Sequence, residues 1–209
     1  MTFNLNIFCQ YEYNKIFCVL FDSNFVCLAT KPKSTSAYEN MSEQQRRESH
    51  MTFGLAICSH AMGDSGDNGM LFIAANQINR GGQEMITCVQ QKTTIAALNL
   101  KVGKKSMELT DSASALAYFE NGISFLNAGH WDHQYELSIG LFDAAADAAC
   151  ELNDAASVHF FTECVLENAK NLYDKLNAMY VNVRFLRMAR ALPEVRKFAL
   201  LVLEQLGEI

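Results

Sequence analysis

Four short stretches contain residue types that support catalysis or ligand binding in other proteins. The first, Gly63-Asp64-Ser65-Gly66, has the form of a protease nucleophile loop. A nucleophilic serine also needs an oxyanion hole and positioned His and Asp partners, in a β-barrel context. This tetrapeptide instead stands in a Gly- and Asp-rich segment between predicted helices, which indicates a turn. We therefore expect no protease activity.

The second and third stretches contain histidines. His130-Trp131-Asp132-His133 offers two imidazoles and one carboxylate, but a closed zinc site uses four ligands, and no Cys or Glu cluster completes it nearby. We favour a structural interpretation, in which Trp131 packs between helices and its polar neighbours face water. His159 precedes Phe160-Phe161 on a predicted helix, so we expect a partly buried core residue instead of a general base.

The fourth stretch, Gly103-Lys104-Lys105-Ser106, ends like a phosphate-binding loop. It lacks the upstream glycine of that motif and lies within a predicted helix, where its amides are not free to surround a phosphate. We therefore predict no nucleotide binding by this chain alone. The four stretches together predict no catalytic residue, no cofactor and no metal site.

The cysteine spacing and the net charge argue against several classes of binding and redox protein. Seven cysteines occur, at positions 9, 18, 27, 58, 88, 150 and 164, without a Cys-x-x-Cys pair. This excludes zinc ribbons and thioredoxin-type redox sites, and we attribute the even spacing of the first three to chance. A formal net charge of −6 disfavours nucleic acid as a partner. No secretory signal or apolar run of ~20 residues is recognisable, so we expect a cytoplasmic protein without membrane contact.

The elements that must position these residues begin with an atypical segment. Residues 1–30 contain short apolar runs at about 7–8, 16–21 and 25–28 that are rich in β-branched and aromatic residues, which favours strands or hairpins. Residues 31–38 contain Pro32 and several serines and indicate a linker. We therefore separate a divergent segment, 1–36, either β-prone or disordered, from a helical domain, 37–209.

From Ser42 onward the sequence predicts helices joined by short connections. Ser42 and Gln45 fit a capping box, Gly81-Gly82 fits a helix stop, and Pro193 fits the first turn of the last helix. The predicted helices cover about 42–60, 70–79, 85–109, 111–129, 135–152, 155–172, 175–191 and 193–207. Short connections predict antiparallel neighbours, and hence stacked hairpins without a β-sheet in this range.

Small and aromatic residues recur at the spacing of closely packed helix pairs. Offsets of 12, 16 and 19 residues occur twice, in Gly103, Ala115, Phe119 and Gly122 and again in Ala145, Ser157, Phe161 and Cys164. This is the packing pattern of a tetratricopeptide-like (TPR-like) repeat, here with units 42 residues apart. We predict an all-α fold, a TPR-like α-solenoid of stacked antiparallel helical hairpins. The predicted helix-packing residues are Gly103, Ala115, Phe119, Gly122, Trp131, Tyr135, Ala145 and Phe161.

Trp131 is the only tryptophan and lies between two predicted hairpins, four residues before Tyr135. We expect a buried indole that anchors the junction between the fourth and fifth predicted helices, not an exposed platform for a ligand.

Several motifs after residue 37 resemble one protein family. They are Phe72-Ile73-Ala74-Ala75-Asn76-Gln77-Ile78-Asn79 with Gly81-Gly82, Leu98-Asn99-Leu100-Lys101-Val102-Gly103-Lys104-Lys105, and Trp131-x-x-x-Tyr135-Glu136-Leu137. They resemble the TPR-like region that follows the nucleotide-binding domain in large STAND-type signalling ATPases of the AAA superfamily, which are often fused to kinase or histidine-kinase domains. The Walker motifs of that family do not occur in this sequence, so no catalytic residue carries over.

The resemblance implies a non-enzymatic helical-repeat module that acts in signal transduction through protein–protein interaction. Its expected partner is a protein, or a parent ATPase or kinase domain, bound on the concave face of the repeats. The alternative is a truncated segment of a multidomain ATPase or kinase regulator that acts only with its missing nucleotide-binding domain. A gene remnant without function is a third possibility.

Overall fold

The computed structural model describes residues 6–10, 17–21, 24–28, 40–61 and 68–207. Its internal contacts divide the chain into two compact units, Met1–Thr87 and Cys88–Ile209, and we describe each unit by itself. The protease-like stretch Gly63-Asp64-Ser65-Gly66 lies outside the described residues. The domain boundary predicted between residues 36 and 37 stays a prediction.

The described strands of the first unit form one antiparallel sheet in the order β1-β2-β3. Their bounds are β1 Asn6–Gln10, β2 Phe17–Phe21 and β3 Asn24–Leu28. The register places Cys9 opposite Cys18 and Cys18 opposite Cys27. The even nine-residue spacing of these cysteines therefore places them at paired positions of the three strands.

Two helices of the first unit, α1 (Glu43–Ala61) and α2 (Asn68–Gly81), pack against each other and are followed by a 3₁₀ turn, Gln83–Met85. The predicted capping box at the start of α1 is present. The Gln45 N–H donates to Ser42 Oγ at 3.3 Å, and the Ser42 N–H donates to Gln45 Oε1 at 2.9 Å. These bonds satisfy amide groups that the first turn of a helix leaves without partners.

The contact between α1 and α2 includes a buried polar pair. His50 Nδ1 lies 2.6 Å from Gln77 Oε1, and both side chains are buried. Burial lowers the pKa of His50, against the opposing effect of the Gln77 hydrogen bond. Of the two neutral tautomers, the one with its proton on Nδ1 can donate to the amide oxygen.

The second unit consists of helices that pack as sequential antiparallel pairs, as the sequence predicted. The bounds are α3 Val89–Glu108, α4 Ser112–Ser124, α5 His130–His133, α6 Tyr135–Glu151, α7 Ala155–Asn168, α8 Leu172–Met188 and α9 Leu192–Leu206. Residues 42–61 and 68–206 contain no strand, which confirms the predicted all-α class over this described range. The predicted connection at 130–134 differs, because a one-turn helix forms there.

The pairs α3–α4, α6–α7 and α8–α9 share one kind of turn. Each turn contains a residue with left-handed backbone: Thr110 (φ 59°), Asn153 (φ 56°) and Arg190 (φ 57°). The residue after each one donates its N–H five positions back: Asp111 to Ser106, Asp154 to Ala149 and Ala191 to Leu186. This is the Schellman arrangement that ends a helix, and it recurs in each of the three described pairs.

The turns correct the repeat register predicted from sequence. Successive left-handed residues are 43 and 37 positions apart, so the expected spacing of 42 was wrong by one residue. In the corrected register Gly103 corresponds to Ala146, Ala115 to Val158 and Gly122 to Val165. Each of these residues is buried. The error arose because Ala145 and Ala146 are both fully buried, so small size alone does not fix the alignment.

Two glycines mark the closest approaches between helices of the second unit. A Cβ on Gly103 would lie 2.3 Å from the Phe119 ring, and a Cβ on Gly122 would lie 2.6 Å from Leu141 Cδ2. The other small or aromatic packing residues predicted in the pairs, Ala115, Phe119, Ala145 and Phe161, are also buried. Contact at this distance requires the absence of a side chain, since interiors are packed at crystal-like density.

Candidate interaction surface

The first helices of the three pairs lie side by side. α6 contacts α3 on one side and α8 on the other. At the α3–α6 contact, the Gln134 amide donates to Thr93 Oγ1, and a Cβ on Gly140 would lie 3.2 Å from Leu100 Cδ2. In helical-repeat proteins, adjacent first helices form a continuous surface available to partners.

A polar network joins α6 to α8 through Asp147. Its Oδ1 lies 3.2 Å from Arg184 Nη2, and its Oδ2 accepts a hydrogen bond from Asn177 Nδ2 at 3.3 Å. Arg184 also donates through Nη2 to the Asp147 carbonyl oxygen and through Nε to Cys150 Sγ, both at 3.2 Å. The guanidinium is therefore held along α6, and its charge is offset by Asp147.

Tyr135 joins the start of α6 to the start of α8. Its hydroxyl donates to Asp174 Oδ2 at 2.5 Å and accepts the Lys170 N–H at 2.7 Å. Lys170 Nζ lies 4.0 Å from the centre of the tyrosine ring, a distance suited to a cation–π contact. Burial and the neighbouring Asp174 raise the pKa of Tyr135, so the phenol is neutral and remains a donor at physiological pH.

Asp143 is a carboxylate in an unfavourable position, one turn before Asp147 on α6. Its Oδ1 is buried and has no hydrogen-bond partner in the described part of the chain. Burial raises the pKa of Asp143 to about 6; Asp147 and Asp174 act in the same direction, and the Asn177 hydrogen bond acts against them. Removing a carboxylate from water disfavours its charged form.

The raised pKa of Asp143 should make the free energy of unfolding depend on pH. The folded protein holds this proton more tightly than the unfolded chain, so stability should fall as pH rises from 3.8 to about 6. Asp143→Asn should match the parent near pH 4 and exceed it by about 1–2 kcal/mol at pH 7. Urea unfolding at several pH values measures this, with Asp132→Asn, an exposed carboxylate, as control. Equal pH profiles for parent and Asp143→Asn would contradict it.

Two tyrosines of α8 are largely exposed near this network. Tyr173 is 83% exposed and Tyr180 is 60% exposed, and their seven-residue spacing places them on one side of the helix. The Arg184 guanidinium carbon lies 5.9 Å from the centre of the Tyr180 ring, and Arg184 in turn pairs with Asp147, which links Tyr180 to the carboxylates. We define the α6–α8 face by Asp143, Asp147, Tyr173, Asp174, Asn177, Tyr180 and Arg184.

Trp131 and Tyr135, the remaining predicted packing residues, are half-buried. The Trp131 ring centre lies 5.1 Å from that of Phe142 and 6.5 Å from that of Tyr135. The indole therefore packs where α5 meets α6, the junction at which the sequence predicted a buried anchor, but it is only half-buried there. The one-turn helix α5 holds the ring at the edge of the core and leaves part of it in water.

The histidines that the sequence singled out, His130, His133 and His159, lie at structural or surface positions. His130 Nδ1 lies 2.8 Å from Ser138 Oγ, and its ring stacks on Phe142, while Asp132 and His133 are exposed. The described residues contain no group of three or more potential metal ligands. His159 was expected to be partly buried, but its side chain is 72% exposed and lies 3.5 Å from Glu163, because α7 turns this position away from the buried Val158.

The phosphate-loop-like stretch lies inside α3, as predicted. Gly103 packs on Phe119, Ser106 is buried, and Lys105 Nζ lies 3.9 Å from Glu108 Oε2.

No helix in the described part of the chain combines the length and apolar character that crossing a membrane requires. No protein-family model matches this chain, and neither a curated protein nor a solved structure matches it.

Proposed function

We propose that this chain is a non-enzymatic helical-repeat module that binds a protein segment on its α6–α8 face, as a cytoplasmic component of signal transduction. The observation that carries the proposal is the pair of exposed tyrosines beside a group of carboxylates on adjoining first helices. Tyrosine is enriched among residues that contribute most to binding energy, since it offers a large rigid surface with a polar end.

The charges of the α6–α8 face favour a basic partner segment. Arg184 is paired with Asp147, whereas Asp143 and Asp174 form no salt bridge with a cation of the described residues. A Lys or Arg side chain from a partner would supply that cation. Because a nearby positive charge favours the ionised carboxylate, binding should lower the pKa of Asp143, and affinity should increase between pH 5.5 and pH 7.5.

Selection from a random peptide library displayed on phage tests this function. The full chain serves as bait, and the selected sequences should be enriched in Lys or Arg. The dissociation constant of one selected peptide is then measured by calorimetry with the parent and with Tyr180→Ala, which should weaken binding at least about ten-fold, as loss of a tyrosine hot spot does.

Phe160→Ala provides the matched control. Phe160 is 57% exposed, but it lies on α7, a second helix, outside the α6–α8 face, so its removal should leave the dissociation constant unchanged. The proposed surface would be refuted if Tyr180→Ala and Phe160→Ala lost the same binding affinity, or if no peptide bound at micromolar concentration. The parent and Tyr180→Ala should have the same unfolding midpoint, so that a loss of binding is not a loss of folding.

A relation to STAND-type signalling ATPases is a second proposal, and the sequence motifs alone support it. Under this alternative, the chain is a segment of a multidomain ATPase or kinase regulator and acts with a nucleotide-binding domain. Many motif residues, among them Ile78, Leu98 and Asn99, are buried and are also explained by helix packing. An adjoining reading frame with Walker motifs in frame with Ala37 would support this origin, whereas the isolated module should retain no nucleotide on purification.

A further inference from the structure

Helix α9 has one side packed in the second unit and one side without a partner in the described residues. Phe198, Leu201 and Val202 of this helix line a cavity of about 230 Å³ together with Leu166, Lys175 and Met179. On the other side, Leu192 is 67%, Leu200 45% and Leu203 39% exposed. Their spacings of eight and three residues form a single stripe along the helix.

Two side chains of opposite charge lie beside this stripe, one before Leu200 along the helix and one after it. Lys197 precedes Leu200 by three residues and Glu204 follows it by four, and all three are exposed. The seven-residue spacing puts Lys197 and Glu204 on the same flank of the stripe, about two helical turns apart. Neither side chain forms a salt bridge with another described residue.

This arrangement is self-complementary for two antiparallel copies of the helix. If a two-fold axis passes beside Leu200, Lys197 of each copy lies opposite Glu204 of the other, and Leu200 meets its own equivalent. A parallel pair related by a two-fold axis would instead put the flank that carries Lys197 and Glu204 on opposite edges of the interface in the two copies, where these charges could not pair. An interface between identical copies related by a two-fold axis must be complementary to itself in this way.

We propose that the chain forms a homodimer through antiparallel pairing of the exposed α9 stripes. The occupant of this surface is a second copy of the same chain, chosen because the charge order complements itself. The α6–α8 face lies on other helices, so this inference goes beyond the proposed function and would place two such faces in one assembly. Arg196 lies on the stripe between Leu192 and Leu200, where its aliphatic stem can cover neighbouring apolar surface.

Sedimentation equilibrium of the full chain over a range of concentrations tests the dimer. The parent should fit a monomer–dimer equilibrium, and Leu200→Glu should be monomeric throughout. Leu109→Glu is the matched control: Leu109 is 70% exposed but follows α3, so this variant should dimerise like the parent. Circular dichroism should show equal helix content in all three proteins.

Charge reversal distinguishes antiparallel pairing from general adhesion of leucines. Lys197→Glu alone should raise the dimer dissociation constant at least ten-fold, because like charges then oppose each other. Adding Glu204→Lys restores opposite charges and should recover most of the affinity. A parent that is monomeric at every concentration, a dimer that survives Leu200→Glu, or a double variant as weak as the single one would each overturn the proposal.

Discussion

Ala115→Arg should lower the free energy of unfolding by roughly 3–5 kcal/mol, the cost of an unpaired charge or gross overpacking in a core. Ala115 is fully buried in α4, and α4 packs against both α3 and α6. An arginine at this position must either leave its guanidinium in the interior or push the helices apart. Urea unfolding followed by far-ultraviolet circular dichroism measures the loss.

Ala117→Arg is the control for this experiment. Ala117 lies two residues further along α4 and is exposed, so the same substitution should change stability by no more than about 0.5 kcal/mol. The difference between the two variants removes the intrinsic effect of arginine in a helix. Equal urea-unfolding midpoints for Ala115→Arg and the parent would contradict the burial of Ala115 between α4 and its neighbouring helices.

Gly103→Ala should destabilise the protein by about 2–3 kcal/mol, although alanine is intrinsically better than glycine in a helix by up to about 1 kcal/mol. The added Cβ would lie 2.3, 2.7 and 2.9 Å from three atoms of the Phe119 ring. Phe119 is fully buried, so the ring can move only by displacing the side chains packed around it. The packing contact therefore determines the sign of the effect.

Gly140→Ala provides the contrasting case within the same unit. Its Cβ would approach the tip of the Leu100 side chain at 3.2 Å, and Leu100 is half-buried and can adjust. The helix-propensity gain should then dominate, with an effect between zero and a stabilisation of about 1 kcal/mol. If the thermal midpoints of Gly103→Ala and Gly140→Ala move together, neither glycine has the role that the structure gives it.

The hairpins were predictable from sequence because their determinants are local. Asp111 accepts the Ser114 N–H at 3.0 Å, and Asp154 accepts the N–H groups of Ala156 and Ser157 at 3.2 Å, so ordinary capping residues mark the starts of α4 and α7. The repeat register was harder to predict from the sequence. It depends on left-handed turn residues that include a threonine and an arginine, types that carry no signal for this conformation.

The α6–α8 face was not predicted, because it depends on distant parts of the chain lying side by side. Asp147 and Arg184 are 37 residues apart, and Tyr135 and Asp174 are 39 apart. In the sequence, Asp143 and Asp147 are two acids in an alanine-rich helix, a pattern equally typical of a solvated surface. Burial separates Asp143 from an ordinary surface acid, and burial follows only once α8 is placed against α6.

The contacts between neighbouring helix pairs also determine where local unfolding of the second unit begins. The principal contacts of each pair are with itself and with the next pair, and burial is lowest in the last pair. α6 contains eight buried residues and α8 three, whereas no side chain described in α9, residues 192–204, is fully buried. Local opening should therefore begin at α9, so that its backbone amide protons exchange with solvent before those of α6.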